Sequence, residues 1–306
     1  MNKSAFLVSK PLQYFNVCNI PDNRPRDLYI INAFNNAEEF YEKVLSNSLK
    51  WESVTFCPDY ASAFAELVEN KKNIENLYLD GDYSFSMIKH LRHLPKINIF
   101  VYEEGIGSYI NNIREVAHKN IYGQVGWARK VKTKLIELFL SAMGHQNCHG
   151  GSKFTKGIYI YNHELHRQQN PEYSKLRLHF KKSFIEHLQQ FDERELMTTD
   201  NMQLLDNVKE RKVLLYLTSW SIDENIKDKL HNYIDYVKIL KPHPKLNLND
   251  YDNIIKEFDS LIQGRDMIEF LISDMLNVCD RLTIIHHRSA AVLHLKNHPK
   301  INEIII

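Results

Sequence analysis

Two carboxylates close a short apolar run. In Ile97-Asn98-Ile99-Phe100-Val101-Tyr102-Glu103-Glu104-Gly105-Ile106-Gly107-Ser108-Tyr109 the apolar residues predict a buried strand over 97–102, and Glu103-Glu104-Gly105 ends it abruptly. In open α/β sheets ligands bind just outside the carboxyl ends of the strands, where this pair would sit. Gly105 permits a tight turn and a close backbone approach to a ligand. A carboxylate in that position can take a proton from a hydroxyl as a general base. An acidic start to the following segment, favoured by a helix dipole, is the bland alternative.

Lys241-Pro242-His243-Pro244 sets one histidine between two prolines. Proline fixes its own φ and biases the preceding residue toward extended backbone, so His243 is expected in one geometry at a strand's carboxyl end, suited to a phosphate. Thr218-Ser219 and Ser289-Ala290 each place a hydroxyl at a strand-to-helix junction. Free backbone N–H groups there attract anions, although either hydroxyl equally serves as a plain N-cap. Asp80-Gly81-Asp82 follows the apolar Leu77-Tyr78-Leu79. Strand-Asp-X-Asp is one way to hold a divalent cation and a sugar diphosphate, but Asp and Gly are also the commonest turn formers. The sequence has no HExxH, no paired Cys/His pattern, no GxxxxGK[ST] loop and no complete GxGxxG, so zinc, ATPase and dinucleotide readings find no motif.

The elements that would carry these residues alternate. Strands are predicted at Phe6–Val8, Leu28–Ile31, Ser53–Cys57, Leu77–Leu79, Ile97–Tyr102 and Gly157–Tyr161, the last being taken to end the first half. Helices are expected after Pro11 and over 37–49, 62–70, 85–94 and 176–191. Beyond a polar linker over 192–209, strands at 213–217, 236–240, 261–262, 282–285 and 301–306 alternate with helices at 223–233 and 267–277 and one from Ser289. Such alternation predicts α/β architecture: parallel sheets in two Rossmann-like domains, 1–195 and 196–306, facing each other across a cleft. Residues 111–151 carry little pattern apart from Lys130–Leu140, a basic and apolar helix that would either pack inward or lie on an anionic membrane surface.

Composition sets the class. The 306 residues are 43% hydrophobic and 25% charged, an ordinary globular balance, and 39 basic against 38 acidic residues give no argument for nucleic acid as a partner. Four scattered cysteines form no CxxC pair, the N-terminal apolar stretch is too short for a signal peptide, and no run approaches membrane-span length. A cytoplasmic protein, peripheral to the membrane at most, is the expectation.

In order and spacing these motifs resemble the bacterial two-domain GT-B sialyltransferases, the lipooligosaccharide and capsule transferases of CMP-activated nonulosonic acids. That group carries an acidic-acidic-glycine motif, matched at Glu103-Glu104-Gly105, and a His-Pro motif, matched at His243-Pro244 after Lys241-Pro242. Its Ser/Thr-Ser motif corresponds to Arg288-Ser289, with Arg where a hydroxyl is usual, and its Pro-Leu-Gln to Pro11-Leu12-Gln13 after Ser9. The resemblance covers most of the chain by order but only these short motifs by sequence.

It implies a CMP-nonulosonate donor, a surface-glycan acceptor, Glu104 as base and His243 as acid or hydrogen-bond donor to the departing phosphate. Thr218, Ser219, Lys241, Pro244, Ser289 and Ala290 would hold CMP; Ser9, Pro11, Gln13, Glu103 and Gly105 would line the acceptor side. No metal is required, since CMP has a single phosphate and leaves readily, and some relatives form homodimers. Three readings stay open beside it: a metal-dependent UDP- or GDP-sugar transferase built on Asp80 and Asp82, a Kdo or glycerol-phosphate transferase, and a non-catalytic binding protein.

Overall fold

A computed structural model describes residues 2–116, 127–197, 202–219, 221–223, 225–243, 246–262, 267–287 and 289–306, with no side-chain description for 127–130. Pro244 and Arg288, both named by the motif reading, lie outside the described residues. The chain divides into two compact units, Met1–Ser183 and Phe184–Ile306.

The first unit holds a parallel sheet of seven strands: β1 (Lys3–Val8), β2 (Arg26–Ile31), β3 (Ser53–Cys57), β4 (Ile74–Leu79), β5 (Asn98–Tyr102), β6 (Thr155–Tyr159) and β7 (Leu176–Leu178). Their order is β3-β2-β1-β4-β5-β6-β7. Helices α1 (Pro11–Cys18), α2 (Ala37–Asn47), α3 (Tyr60–Asn70), α4 (Phe85–Leu91), α5 (Trp127–Ala142) and α6 (His163–Gln169) connect the strands. Ala5 to Val8 and Leu28 to Ile31 are buried at every position, as continuous apolar runs must be when helices cover both faces of a sheet. On one face Ala5, Leu7, Tyr29, Ile31, Leu77 and Leu79 pack against Phe64 and Leu67 of α3 and Met87 and Leu91 of α4. On the other, Phe6 stacks on Tyr78 with ring centroids 4.5 Å apart, and the Arg26 guanidinium lies 4.3 Å over the Phe6 ring.

The second unit repeats the plan with β8 (Lys212–Leu217), β9 (Val237–Lys241), β10 (Ser260–Leu261), β11 (Arg281–His286) and β12 (Ile301–Ile305) in the order β10-β9-β8-β11-β12. Its helices are α7 (Phe184–Gln189), α8 (Met202–Val208), α9 (Ile226–Leu230), α10 (Asp252–Ile255), α11 (Ile268–Val278) and α12 (Ala290–Leu293). All strand pairs in both sheets are parallel. The fold is therefore α/β with two Rossmann-like sheets, the class expected.

The stretch 176–191 departs from the helix expected there. Leu176-Arg177-Leu178 pairs with Gly157-Ile158-Tyr159 as an edge strand, so 157–161 does not end the sheet. Its alternating side chains fit a strand, and Phe180 beyond it stacks on Tyr161 at 4.1 Å. The helix begins only at Phe184, whose ring stacks on His294, while Phe191 meets Phe270. These contacts give 184–195 to the second unit, moving the division earlier than the expected 195/196 boundary. The supposed linker is structured where it is described: Arg194 pairs with Asp274, Met197 accepts from the Met267 N–H, and α8 occupies 202–208.

Candidate functional site

In each unit the strand order reverses once, between β1 and β4 and between β8 and β11. The carboxyl ends at such switch points leave a crevice in which α/β proteins bind ligands. In the first unit the residues following β1, β4 and β5 are Ser9-Lys10, Asp80 and Glu103-Glu104, so three strand ends bring together side chains far apart in the chain.

Glu104 and Glu103 are neighbours in sequence and opposite in role. Glu103 is 1% exposed and accepts from the Tyr109 hydroxyl at 2.6 Å and the Tyr161 N–H at 2.9 Å; its carbonyl accepts from Asn16 Nδ2 at 2.7 Å. It fixes the turn after β5 and is enclosed, away from the acceptor-side role expected of it. Glu104 is half-buried, ion-paired with Lys10 Nζ at 3.4 Å, and accepts from Gln13 Nε2 at 3.1 Å. Gly105 follows with φ +103°, in the region that penalises side chains bearing a Cβ, and so allows the chain to turn away at once. Pro11 occupies the first turn of α1, where its missing N–H costs nothing, and α1 aims Gln13 back at the strand ends.

Asp80 belongs to the same group. Its Oδ2 accepts from Ser9 Oγ at 3.1 Å, Gln13 Nε2 at 2.9 Å and the Tyr60 hydroxyl at 2.5 Å. Burial first, and the nearby Glu104 charge second, push its carboxyl above the ordinary range. A second chain of contacts runs behind Glu104. The Glu104 N–H donates to Ser108 Oγ at 2.8 Å, Ser108 Oγ lies 2.8 Å from His149 Nδ1, and His149 Nε2 lies 2.5 Å from the Asp80 carbonyl oxygen. A carbonyl only accepts, so Nε2 carries the imidazole hydrogen and Nδ1 accepts from the Ser108 hydroxyl.

Asp82 is not paired with Asp80 in this group. It is fully buried, with Oδ1 accepting from the Gly150 N–H and Oδ2 from the Ser152 N–H and the Thr155 hydroxyl, at 2.9, 2.9 and 2.6 Å. The two carboxylates thus serve separate hydrogen-bond networks, where the alternative metal-dependent reading of Asp80-Gly81-Asp82 would have them share one cation. Among the described residues no three His, Cys, Asp or Glu side chains are grouped as a metal would require.

In the second unit Leu217 stands beside Lys241 on one side and His286 on the other, so Thr218, Lys241-Pro242-His243 and Ser289 leave the sheet at one edge. The His243 N–H donates to Thr218 Oγ1 at 2.8 Å, and the Thr218 N–H to the Lys241 carbonyl at 3.1 Å, tying the two loops together. Lys241 is buried and His243 half-buried. Ser219 Oγ donates to the Ser221 carbonyl at 3.2 Å. The Ser289 hydroxyl accepts from the Ala291 N–H as the N-cap of the four-residue α12, which Ala290 begins. Its own N–H donates to His286 Nδ1, whose Nε2 faces Glu303 at 3.0 Å.

Lys10, Tyr60, Ser108 and His149 were missed in the sequence. Lys10 and Tyr60 carry no motif, and His149 falls in the unpatterned 111–151 stretch.

No protein-family model matches the chain, and no curated protein matches it in sequence. Solved structures do. The UDP-GlcNAc 2-epimerase from Neisseria meningitidis, bound to UDP-GlcNAc, superposes with TM-score 0.52 at 12% identity, over 93% of this chain and 77% of that one. The wall teichoic acid polymerase TagF gives 0.47 at 11% over 96% and 67%, and the E. coli ADP-heptose lps heptosyltransferase II gives 0.41 at 10% over 99% and 90%. The epimerase match agrees with the two-sheet α/β fold of GT-B type; at these identities the likeness concerns fold alone.

Proposed function

We propose that the chain is a glycosyltransferase moving a nonulosonic acid, such as sialic or pseudaminic acid, from a CMP donor to a hydroxyl of a bacterial surface glycan. The observation that carries the reading is Glu104: a half-buried carboxylate at the carboxyl end of β5, beside the switch point, oriented by Gln13 and Lys10. Glu104 takes the proton of the acceptor hydroxyl as that oxygen bonds to the anomeric carbon. The bond from that carbon to the CMP phosphate breaks, and the electron pair leaves with CMP. His243, fixed through its backbone by Thr218, hydrogen-bonds or protonates the departing phosphate. Thr218, Ser219, Lys241 and the Ser289-Ala290 turn hold the nucleotide, with Pro244 completing the motif. The reaction runs without a metal, because the single phosphate of CMP leaves without charge neutralisation by a cation.

The test is CMP release from CMP-, UDP- and GDP-sugars with mixed galactoside acceptors, with and without EDTA. CMP formed from a CMP-nonulosonate in EDTA, reduced roughly 10²- to 10⁴-fold in Glu104→Gln, is expected. Release of UDP or GDP, or conversion of UDP-GlcNAc without transfer, overturns the reading.

A further inference from the structure

Helix α5 is packed along one face and carries a second, exposed apolar stripe opposite it. Leu140 is buried and Thr133, Ile136 and Glu137 are half-buried, at the i, i+3, i+4, i+7 spacing of a packed face. Val131, Leu135, Leu138 and Phe139, at i, i+4, i+7 and i+8, line the opposite side, and they are 38%, 61%, 61% and 57% exposed. At about 100° per residue the exposed stripe lies roughly 180° from the packed one. Exposed Lys132 and Lys134 fall on its two flanks. The single carboxylate of the helix, Glu137, is turned the other way and accepts from Asn147 Nδ2 at 3.4 Å. The outward face therefore combines large apolar side chains with flanking cations and no anion.

We propose that this face of α5 docks on an anionic lipid surface, with Leu135, Leu138 and Phe139 entering the headgroup–acyl boundary and the lysines meeting lipid phosphates. Amphipathic helices with apolar and cationic faces bind this way, and long lysine stems reach from the apolar layer to the headgroups. Charge selects this occupant over a second copy of the chain. Two such faces brought together would set lysine against lysine, with no carboxylate on the stripe to pair them. The inference is independent of the transferase reading and concerns where the chain works, whatever its reaction.

The experiment is flotation of the full chain with phosphatidylcholine vesicles, alone or with a quarter phosphatidylglycerol, at 0.1 and 0.5 M salt. Binding to the anionic vesicles, weakened by salt, is expected. Lys132→Glu with Lys134→Glu should weaken it at least about tenfold, each lysine near such a surface contributing about fivefold. Leu135→Asp with Leu138→Asp should abolish it; both positions are exposed, and circular dichroism checks that the fold is kept. Equal binding to neutral and anionic vesicles, or unaltered binding by either variant, overturns the proposal. So does a dimer in sedimentation velocity that Leu135→Asp dissociates, which would make the face a contact between copies.

Discussion

Asp80 and Glu104, closing β4 and β5, share one donor: Gln13 Nε2 stands 2.9 Å from the first carboxylate and 3.1 Å from the second. All three donors to Asp80 converge on Oδ2, so an asparagine can keep them on its amide oxygen. The Asp80 carboxyl is raised by burial and by Glu104, so the folded state favours its protonated form. Its ionisation therefore works against folding as pH rises from the unfolded value, about 3.9, through the higher folded one. Asp80→Asn removes that contribution. The variant should fold, and its stability should climb more steeply with pH above 4 than that of the wild type, read from urea midpoints at successive pH values.

Ser108 is the joint between Glu104 and His149. Its hydroxyl accepts from the Glu104 N–H and donates to His149 Nδ1, and both residues behind Glu104 are fully buried. Ser108→Ala leaves an N–H and an imidazole nitrogen without their partner, at a cost of about 1–3 kcal/mol. Because the same chain sets the backbone from which Glu104 projects, kcat should fall about tenfold while the donor KM stays within about twofold. A loss of stability with unchanged kcat would make the chain purely a fold element.

Asp82 separates the metal-dependent transferase reading from the proposed one. Its three donors include the buried Gly150 and Ser152 N–H groups, so Asp82→Ala should cost at least about 3 kcal/mol. Whatever folded protein remains below the unfolding transition should keep its activity per folded molecule, with or without EDTA. A stable Asp82→Asn variant that loses a metal-dependent activity would restore the shared-cation reading.

The legibility of this site follows from chain locality. Ser9 with Pro11-Leu12-Gln13, and Glu103-Glu104-Gly105, each lie in one short stretch after a strongly apolar strand, so residue type and position could be read together. That Asp80 meets Glu104 rather than Asp82 could not be read, because it depends on β4 and β5 lying side by side and on α1 carrying Gln13 to both. His149 comes from a stretch without a 2.0 or 3.6 period, where nothing marks an inward side chain. The hydroxyl of Ser289 showed how weak a single junction residue is: cap and phosphate ligand use the same atom. At Leu176–Leu178 the alternation was present in the sequence, but a three-residue edge strand is too short to stand out against the helix pattern that follows.

Acid should unfold the first unit through two buried histidines. His145 and His166 are 2% and 0% exposed, and their Nε2 atoms have no partner among the described residues. Nδ1 of His145 accepts from the Lys153 N–H, and Nδ1 of His166 from Arg177 Nε. A proton added to either Nδ1 would displace a donor, in surroundings that cannot hydrate the charge. Burial, followed by neighbouring Lys153 and Arg177, respectively, lowers both from 6.5 to about 4. Between those values the unfolded chain binds more protons than the folded one, so stability rises with pH across the window and is lost as pH falls from 6.5 toward 4. At 1.36 kcal/mol per pH unit each histidine removes up to about 3 kcal/mol by pH 4. Urea midpoints should therefore drop steeply below pH 6, and His166→Gln should flatten that slope. A midpoint constant from pH 6.5 to 4.5 would mean that these imidazoles take up protons in the folded chain.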